Sequence, residues 1–171
     1  EFRRVLFRSA RSETFATNHP FAGVICFTEV RMKPPTRIFV AEVDLENPLV
    51  RLRVSRGGDD PDGPGPWQTT LMQPTAIAAR EKFDLVVNGD FFKARDVRDA
   101  ESAQSKYRAG MWAMVEGPAL SDGKGWSASP GARPCLVVRS NNVLSIEMLT
   151  KPPLDAREVI GGNTILLKEI G

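Results

Sequence analysis

The chain has 171 residues, of which 42% are apolar and 26% charged, as in an ordinary globular domain with one core. Its 23 basic and 21 acidic residues leave a formal net charge of +2, which gives no reason to expect nucleic-acid binding. The single histidine, His19, excludes a His-rich metal site, and the two cysteines, Cys26 and Cys135, exclude a Cys-based zinc site and a disulfide-dense scaffold. No apolar run approaches the roughly 18 residues of a membrane span.

The first eleven residues are set apart by four arginines around a three-residue apolar stretch. A signal peptide needs about 7–15 apolar residues after its basic start, so this segment is not a complete export signal. We expect residues 1–11 to be a non-native or truncated tail, with an ordered basic arm as the alternative. The domain is expected to occupy residues 12–171. Its abrupt end fits either a complete domain or one cut in the middle.

The first half of the chain is predicted to be mostly strands. Residues 23–31 and 38–45 are rich in β-branched and aromatic side chains, which predicts two strands with a Lys-Pro-Pro-Thr break between them. Residues 50–55 alternate between apolar and polar side chains, which predicts a half-buried strand in a hairpin with the second one. Residues 56–67 combine Gly, Pro and Asp. They predict a solvated loop rather than a calcium site, because the closing Glu of an EF-hand is missing.

Next comes the clearest helical pattern, over residues 74–83, which opens with Pro and has an Ala-rich middle. Residues 85–87 predict a short buried strand that ends in a tight bend at 88–90. Residues 93–108 are polar and predict an excursion. The apolar run at 110–115 predicts a strand with Trp112 in the core.

The last third of the chain is predicted to be strands and turns. Residues 135–139 and 143–148 flank two asparagines, which predicts a hairpin. Residues 158–162 lead into a final strand at 164–167. Seven or eight short strands and one clear helix predict an α+β fold with a mainly antiparallel or mixed sheet. Glycine-rich nucleotide-binding motifs are absent, and the Ser121-to-Lys124 spacing indicates a turn rather than a catalytic dyad.

The segment from Asn88 to Phe92 carries the most chemistry. Asn88 offers a donor and an acceptor, and Gly89 lets the backbone turn or a ligand approach closely. Asp90 has the chemistry of an acid or base or of a cation ligand, and Phe91 follows it. Taken alone, the segment also fits a plain Asn-Gly turn at the end of a strand.

Short motifs in a particular order carry a resemblance to a known family. They are listed here in chain order: Val43-Asp44-Leu45 with Pro48, Thr69-Thr70, Asn88 to Phe92, Gly110 with Val115 and Gly117, Arg133-Pro134, and Gly161-Gly162 with Leu166-Leu167. This order resembles the phosphodiester glycosidase family, which is related to the enzyme that uncovers mannose 6-phosphate by removing N-acetylglucosamine. The resemblance covers residues from about 23 to 171.

The resemblance implies that this chain is the N-terminal part of a hydrolase domain, which cleaves the glycosidic bond of sugar-1-phosphodiesters. The family continues with His-Pro-Arg-Thr-like, Asp-Gly-Arg and Asp-Gly-Gly-Gly-Ser segments, which this chain lacks. The chain alone is therefore expected to be an incomplete, inactive domain. The implied catalytic residues are Asp90 and Asn88, and the implied substrate-binding residues are Gly89, Phe91, Asp44 and Gly110.

The resemblance also implies a saccharide substrate and a location outside the cytoplasm. No cofactor is evident, no metal ligand is assigned, and a metal requirement stays open, as do the oligomeric state and any Cys26–Cys135 pairing. A transmembrane segment and a nucleic-acid partner are not expected. The alternative function is a non-catalytic carbohydrate-binding or envelope interaction module, in which residues 88–90 form only a turn.

Overall fold

The computed structural model describes residues 12–95 and 107–163. The chain divides into two compact units, Glu1–Arg51 and Leu52–Gly171, and each is described here by itself. Every strand pair in the described residues is antiparallel, and the described part contains a single α-helix. The predicted α+β class with a mainly antiparallel sheet is therefore confirmed.

The first unit is a three-stranded sheet in the order β1-β2-β3, with β1 at Ser12–Phe21, β2 at Val24–Met32 and β3 at Pro35–Val43. Gly23 turns the chain from β1 into β2 at a φ of +75°, a conformation that only glycine adopts at no steric cost. The two predicted strands are confirmed, and the predicted break between them is the hairpin turn. β1 was not predicted from the sequence.

Residues 50–55 were predicted to be a strand, and this is wrong, because none of them is in a strand. The partner of β3 is β2, so the predicted hairpin between residues 38–45 and 50–55 is also wrong. Side chains hold part of this segment instead. The Val54 N–H donates to the Glu158 carboxylate at 3.0 Å, and the Leu52 carbonyl accepts from Arg157 at 3.0 Å.

The helix α1 spans Pro74–Glu81, so the predicted helix is confirmed with an end two residues earlier. Lys82 ends it at a φ of +57°. The predicted loop at 56–67 is also confirmed, and Arg80 of α1 fastens its start. The Arg80 guanidinium donates to the Arg56 carbonyl at 2.9 Å and to Ser55 Oγ at 3.0 Å.

Two sheets make up the second unit. The smaller one has the order β4-β6-β5, with β4 at Thr69–Thr70, β5 at Phe92–Arg95 and β6 at Trp112–Val115. The larger one has the order β10-β9-β11-β7-β8. Its strands are β7 (Ala119–Ser121), β8 (Lys124–Ser127), β9 (Arg133–Val138), β10 (Leu144–Leu149) and β11 (Glu158–Gly161).

The core of the larger sheet is formed by side chains of its central strands β7, β9 and β11, together with one alanine before β11. A buried cluster there contains Leu120, Cys135, Val137, Ala156 and Val159. The predicted hairpin at 135–148 is confirmed as β9 and β10. The predicted strand at 110–115 is confirmed as β6, in which Trp112 is half-buried rather than buried.

Three predictions in this unit turned out differently. Residues 85–87 form no strand, and Leu85 and Val87 are 44% and 79% exposed, so the predicted buried strand is wrong. Residues 93–95 of the predicted excursion at 93–108 belong to β5, and residues 96–106 lie outside the described residues. The tail 1–11 and the strand expected at 164–167 also lie outside the described residues. Residues 158–161 are themselves a strand.

No helix in the described parts has the length and hydropathy needed to cross a membrane.

Candidate functional site

The bend from Asn88 to Phe91 connects the segment after α1 to β5. The Phe91 carbonyl accepts a hydrogen bond from the Glu116 N–H at 2.8 Å, so the bend is fastened to the end of β6. A Cβ at Gly89 would lie 1.9 Å from Ile160 Cδ1, so a larger residue here would require the Ile160 side chain of β11 to move. Asn88 and Phe91 are exposed. The predicted bend is confirmed only at Asp90, since Asn88 and Gly89 are not in a turn and have no positive φ, and the segment lies against the larger sheet.

The Asp90 carboxylate points between two glycine backbones. A Cβ built on Gly117 would lie 3.0 Å from Asp90 Oδ2, and one built on Gly161 would lie 2.9 Å from the same oxygen. Gly117 follows β6 and Gly161 ends β11, so the carboxylate lies where the two sheets of this unit meet. Both carboxylate oxygens are buried, and neither has a hydrogen-bond partner among the described residues.

Burial has a direct electrostatic effect on Asp90. Loss of solvent around the carboxylate raises its pKa above the ordinary 3.8, because the charged form loses more hydration than the neutral form. The Phe91 N–H, the Arg133 guanidinium and the N–H groups of Gly117 and Gly161 lower the pKa in part. Burial has the largest effect of these, so the net change of the pKa is upward.

Cys135 is the next titratable group in this region. It pairs with Gly161 across β9 and β11, and its thiol donates to the Arg133 carbonyl at 3.3 Å. Burial and the nearby Asp90 charge raise the pKa of the thiol to about 11. Cys135 is therefore a protonated, inert thiol near neutral pH. Both cysteines are free in the structure.

Three charged side chains form a cluster beside Asp90, which we call the charged rim: Lys93 of β5, Glu116 after β6 and Arg133 of β9. Lys93 Nζ lies 3.6 Å from Glu116 Oε1, and Arg133 Nη2 lies 3.7 Å from Glu116 Oε2. Arg133 Nη1 also lies 3.5 Å from Asn163 Oδ1. The rim therefore carries two positive charges and one negative charge.

The other two predicted site residues, Gly110 and Asp44, are not part of this bend. Gly110, with a φ of +83°, precedes β6 at the end where Arg95 pairs with Trp112, whereas Asp90 lies at the end where Phe92 pairs with Val115. Asp44 belongs to the first unit, where it is exposed and its carboxylate accepts the Glu46 N–H at 3.1 Å. The structure thus brings together Asn88, Gly89, Asp90 and Phe91 because they are neighbours in sequence.

Sequence reasoning did not assign Gly117, Arg133 and Gly161 to the site. Each belongs to a motif of the family resemblance, but nothing in its own segment indicates a contact with Asp90. Ser121 and Lys124 behave as predicted: they flank the β7–β8 turn, and Ser121 Oγ accepts a bond from Trp126 Nε1 at 2.9 Å. Within residues 12–95 and 107–163, no three His, Cys, Asp or Glu side chains lie close enough to hold a metal ion.

Comparison with protein-family models, with curated proteins and with solved structures finds no match to this chain. The chemistry of the site must therefore be judged from its own groups. A carboxyl group with a raised pKa can store and release a proton closer to neutrality than an exposed one. A rim with excess positive charge beside it favours an anionic ligand.

Proposed function

We propose that the chain is part of a hydrolase that cleaves the glycosidic bond of a sugar-1-phosphodiester. Water attacks the anomeric carbon, the bond from that carbon to the phosphate oxygen breaks, and the phosphate monoester leaves with the electron pair. Asp90 takes up the proton of the water, and Asn88 donates a hydrogen bond to the sugar or phosphate. A phosphate is already a good leaving group, so a strong general acid is not essential.

The observation that supports this proposal is the Asp90 carboxyl itself. Its oxygens are buried without hydrogen-bond partners, its pKa is raised, and the positive charge of Arg133 acts on it. Groups with perturbed pKa values concentrate at sites of proton transfer. The oxygens are buried between Gly117 and Gly161, so a substrate reaches them only after the Asp90 side chain or the backbone around it moves.

The proposed hydrolase has an expected location and an expected continuation of its coding sequence. The protein acts outside the cytoplasm on a saccharide substrate, and the remaining residues of the site come from sequence encoded after codon 171. Reading the source DNA beyond that codon tests this part. An open frame with Arg-bearing and Asp-Gly-Gly-Gly-Ser-like segments is expected, and an immediate stop codon would contradict it.

The catalytic test is Asp90→Asn in the protein expressed from its whole reading frame. Removing a general base is expected to lower the hydrolysis rate of a glycosyl phosphodiester at least ~100-fold. The matched control is Asp84→Asn, which changes an exposed carboxylate nearby in the same segment and should leave the rate unchanged. Near-wild-type turnover in the Asp90 variant would remove this residue from the mechanism.

A second candidate is a non-catalytic carbohydrate-binding or envelope interaction module. The covered position of the Asp90 oxygens favours it, because a carboxylate packed between glycine backbones also suits a purely structural role. This function predicts saccharide binding that persists after Asp90→Ala, with no phosphodiester cleavage by the wild-type protein. Loss of binding in a folded Asp90→Ala variant would count against it.

A further inference from the structure

The charged rim has geometry that differs from that of a closed ion-pair network. The two contacts to Glu116, at 3.6 Å from Lys93 and 3.7 Å from Arg133, exceed the roughly 2.7–3.2 Å of an N–H···O hydrogen bond. The Asn163 contact at 3.5 Å is also long. Arg133 therefore makes no short hydrogen bond within the described residues, although it has five N–H donors.

A second arginine on the same strand system shows what a satisfied guanidinium is like here. Arg139 follows β9 and is 28% exposed, close to the 31% of Arg133. It contacts Glu147 at 2.6 Å, Asp155 at 2.7 Å and Ser145 Oγ at 2.8 Å. Two arginines of similar exposure thus differ in hydrogen bonding: Arg139 has three short contacts, and Arg133 has none within the described residues.

The donors of the rim suit an oxyanion. Lys93 and Arg133 supply two positive charges. The negative charges beside them are those of Glu116 and of Asp90, and burial raises the pKa of the Asp90 carboxyl so that it keeps its proton to a higher pH than usual. A guanidinium presents two parallel donors that match two oxygens of a phosphate, and a lysine ammonium adds a mobile point charge. Lys93 is 66% exposed, so its ammonium group is free to move toward a ligand. The carboxylate of Glu116 would then be the group that competes with the ligand.

We propose that Lys93 and Arg133 bind the phosphate group of a phosphate ester, and that Glu116 is the counter-charge that the ligand displaces. The identity of the ester as a glycosyl phosphodiester rests on the proposed function. The binding of phosphate itself does not, because it depends only on the rim. Arg133 is thereby a specificity residue beside Asp90.

Titration with inorganic phosphate at low ionic strength, followed by amide NMR shifts of the whole chain, tests the site. Lys93→Met and Arg133→Met should each weaken binding about tenfold, the effect of losing one charge-assisted hydrogen bond. Glu116→Gln should tighten it about threefold, because the competing ion pair is removed. The matched control is Lys124→Met, which deletes a positive charge at the exposed β7–β8 turn and should change binding little.

The comparison of Lys93→Met with Lys124→Met separates this site from general charge attraction, because each variant loses one positive charge and only Lys93 belongs to the rim. Equal weakening by Lys93→Met and Lys124→Met, or weaker binding in Glu116→Gln, would overturn the proposal. Arg133 is half-buried, so Arg133→Lys serves as a second variant that keeps the charge and loses the planar fork. It should bind phosphate more weakly than wild type while remaining folded.

Failure of the site and failure of the proposed function are distinguishable. Phosphate binding with the expected order of variants, but no cleavage of any glycosyl phosphodiester, would retain the site and remove the function. Cleavage by the wild-type protein, with phosphate binding unchanged in Lys93→Met and Arg133→Lys, would retain the function and overturn the site.

Discussion

Asp90 couples the stability of the second unit to pH. Burial raises the pKa of its carboxyl above 3.8, so the folded state holds the proton more tightly than the unfolded state does. The stabilisation from this group is therefore complete below pH 3.8 and is lost as the pH rises through the folded-state pKa. The side chain of Asp90→Asn stays neutral at every pH, so we expect this variant not to lose stability in this way as the pH rises.

The measurement is urea unfolding of the wild type and Asp90→Asn from pH 3 to pH 8. The free energy of unfolding of Asp90→Asn, minus that of the wild type, should increase as the pH rises. Asp84→Asn is the control for removal of an exposed carboxylate in the same segment. A difference that stays constant with pH, or one that favours the wild type at pH 8, would contradict this prediction.

The two cysteines are expected to differ in reactivity. Cys135 is 1% exposed with a thiol pKa of about 11, so about one molecule in a thousand is the reactive thiolate at pH 8. Cys26 is partly exposed in β2. Iodoacetamide at pH 8 should therefore label Cys26 at least ~100-fold faster than Cys135, as measured by peptide mass spectrometry. Equal rates in the native protein would contradict this, whereas equal rates in urea are expected.

At the scale of elements, the turn after β6 and the end of β11 approach each other more closely than side chains allow. A Cβ on Gly117 would lie 2.9 Å from Gly161 Cα, and one on Gly161 would lie 2.8 Å from Gly117 Cα. Because the obstructing atoms are backbone, Gly117→Ala and Gly161→Ala should each lower the free energy of unfolding by about 1–3 kcal/mol.

Thermal and urea unfolding of these variants measure the effect, and Gly131→Ala is the matched control. Nothing lies within 4 Å of a Cβ at Gly131, so its substitution should be neutral or slightly stabilising. A destabilisation by Gly131→Ala equal to that of the other two would show that lost glycine flexibility, rather than the close backbone contact, sets the cost.

Local patterns predicted some of the elements whose partners are near in sequence, although β1 was missed. The hairpin of β9 and β10 follows from two apolar runs around asparagines, and Asn142 there has a φ of +57°. Residues 50–55 have an equally clean alternation but form no strand, because side chains of Arg157 and Glu158 take up backbone groups of Leu52 and Val54. An alternating apolar and polar pattern shows that two faces of a segment differ in polarity. It does not show that a neighbouring strand is available to pair with.

The same limit applies to the candidate site. A bend near Asp90 was predictable from the Asn-Gly pair before it, although neither Asn88 nor Gly89 adopts the positive φ that such pairs favour in turns. The environment of Asp90 was not, since Gly117, Arg133 and Gly161 reach it only through the pairing of β11 with β9 and β7. Asp44 was expected to be a substrate-binding residue, yet it caps an exposed turn in the first unit.

At the scale of the whole second unit, one buried carboxylate joins segments from its two ends. Glu158 of β11 is 1% exposed, and its Oε2 accepts the Val54 N–H at 3.0 Å and the Asp122 N–H at 3.2 Å. Val54 lies near the start of this unit and Asp122 lies in the β7–β8 turn. Truncation of Glu158 therefore leaves two N–H groups without their acceptor, far apart in sequence.

Glu158→Ala is expected to lower the free energy of unfolding by about 2 kcal/mol, because two part-buried N–H donors lose their charged acceptor. Glu158→Gln keeps an acceptor oxygen in place and should cost about 1 kcal/mol, the difference between a charged and a neutral acceptor. Hydrogen exchange at the Val54 and Asp122 amides should accelerate in the Ala variant well beyond the Gln variant. An Ala variant as stable as the Gln variant, with both amides still protected, would mean that other contacts hold the start of the unit to the sheet.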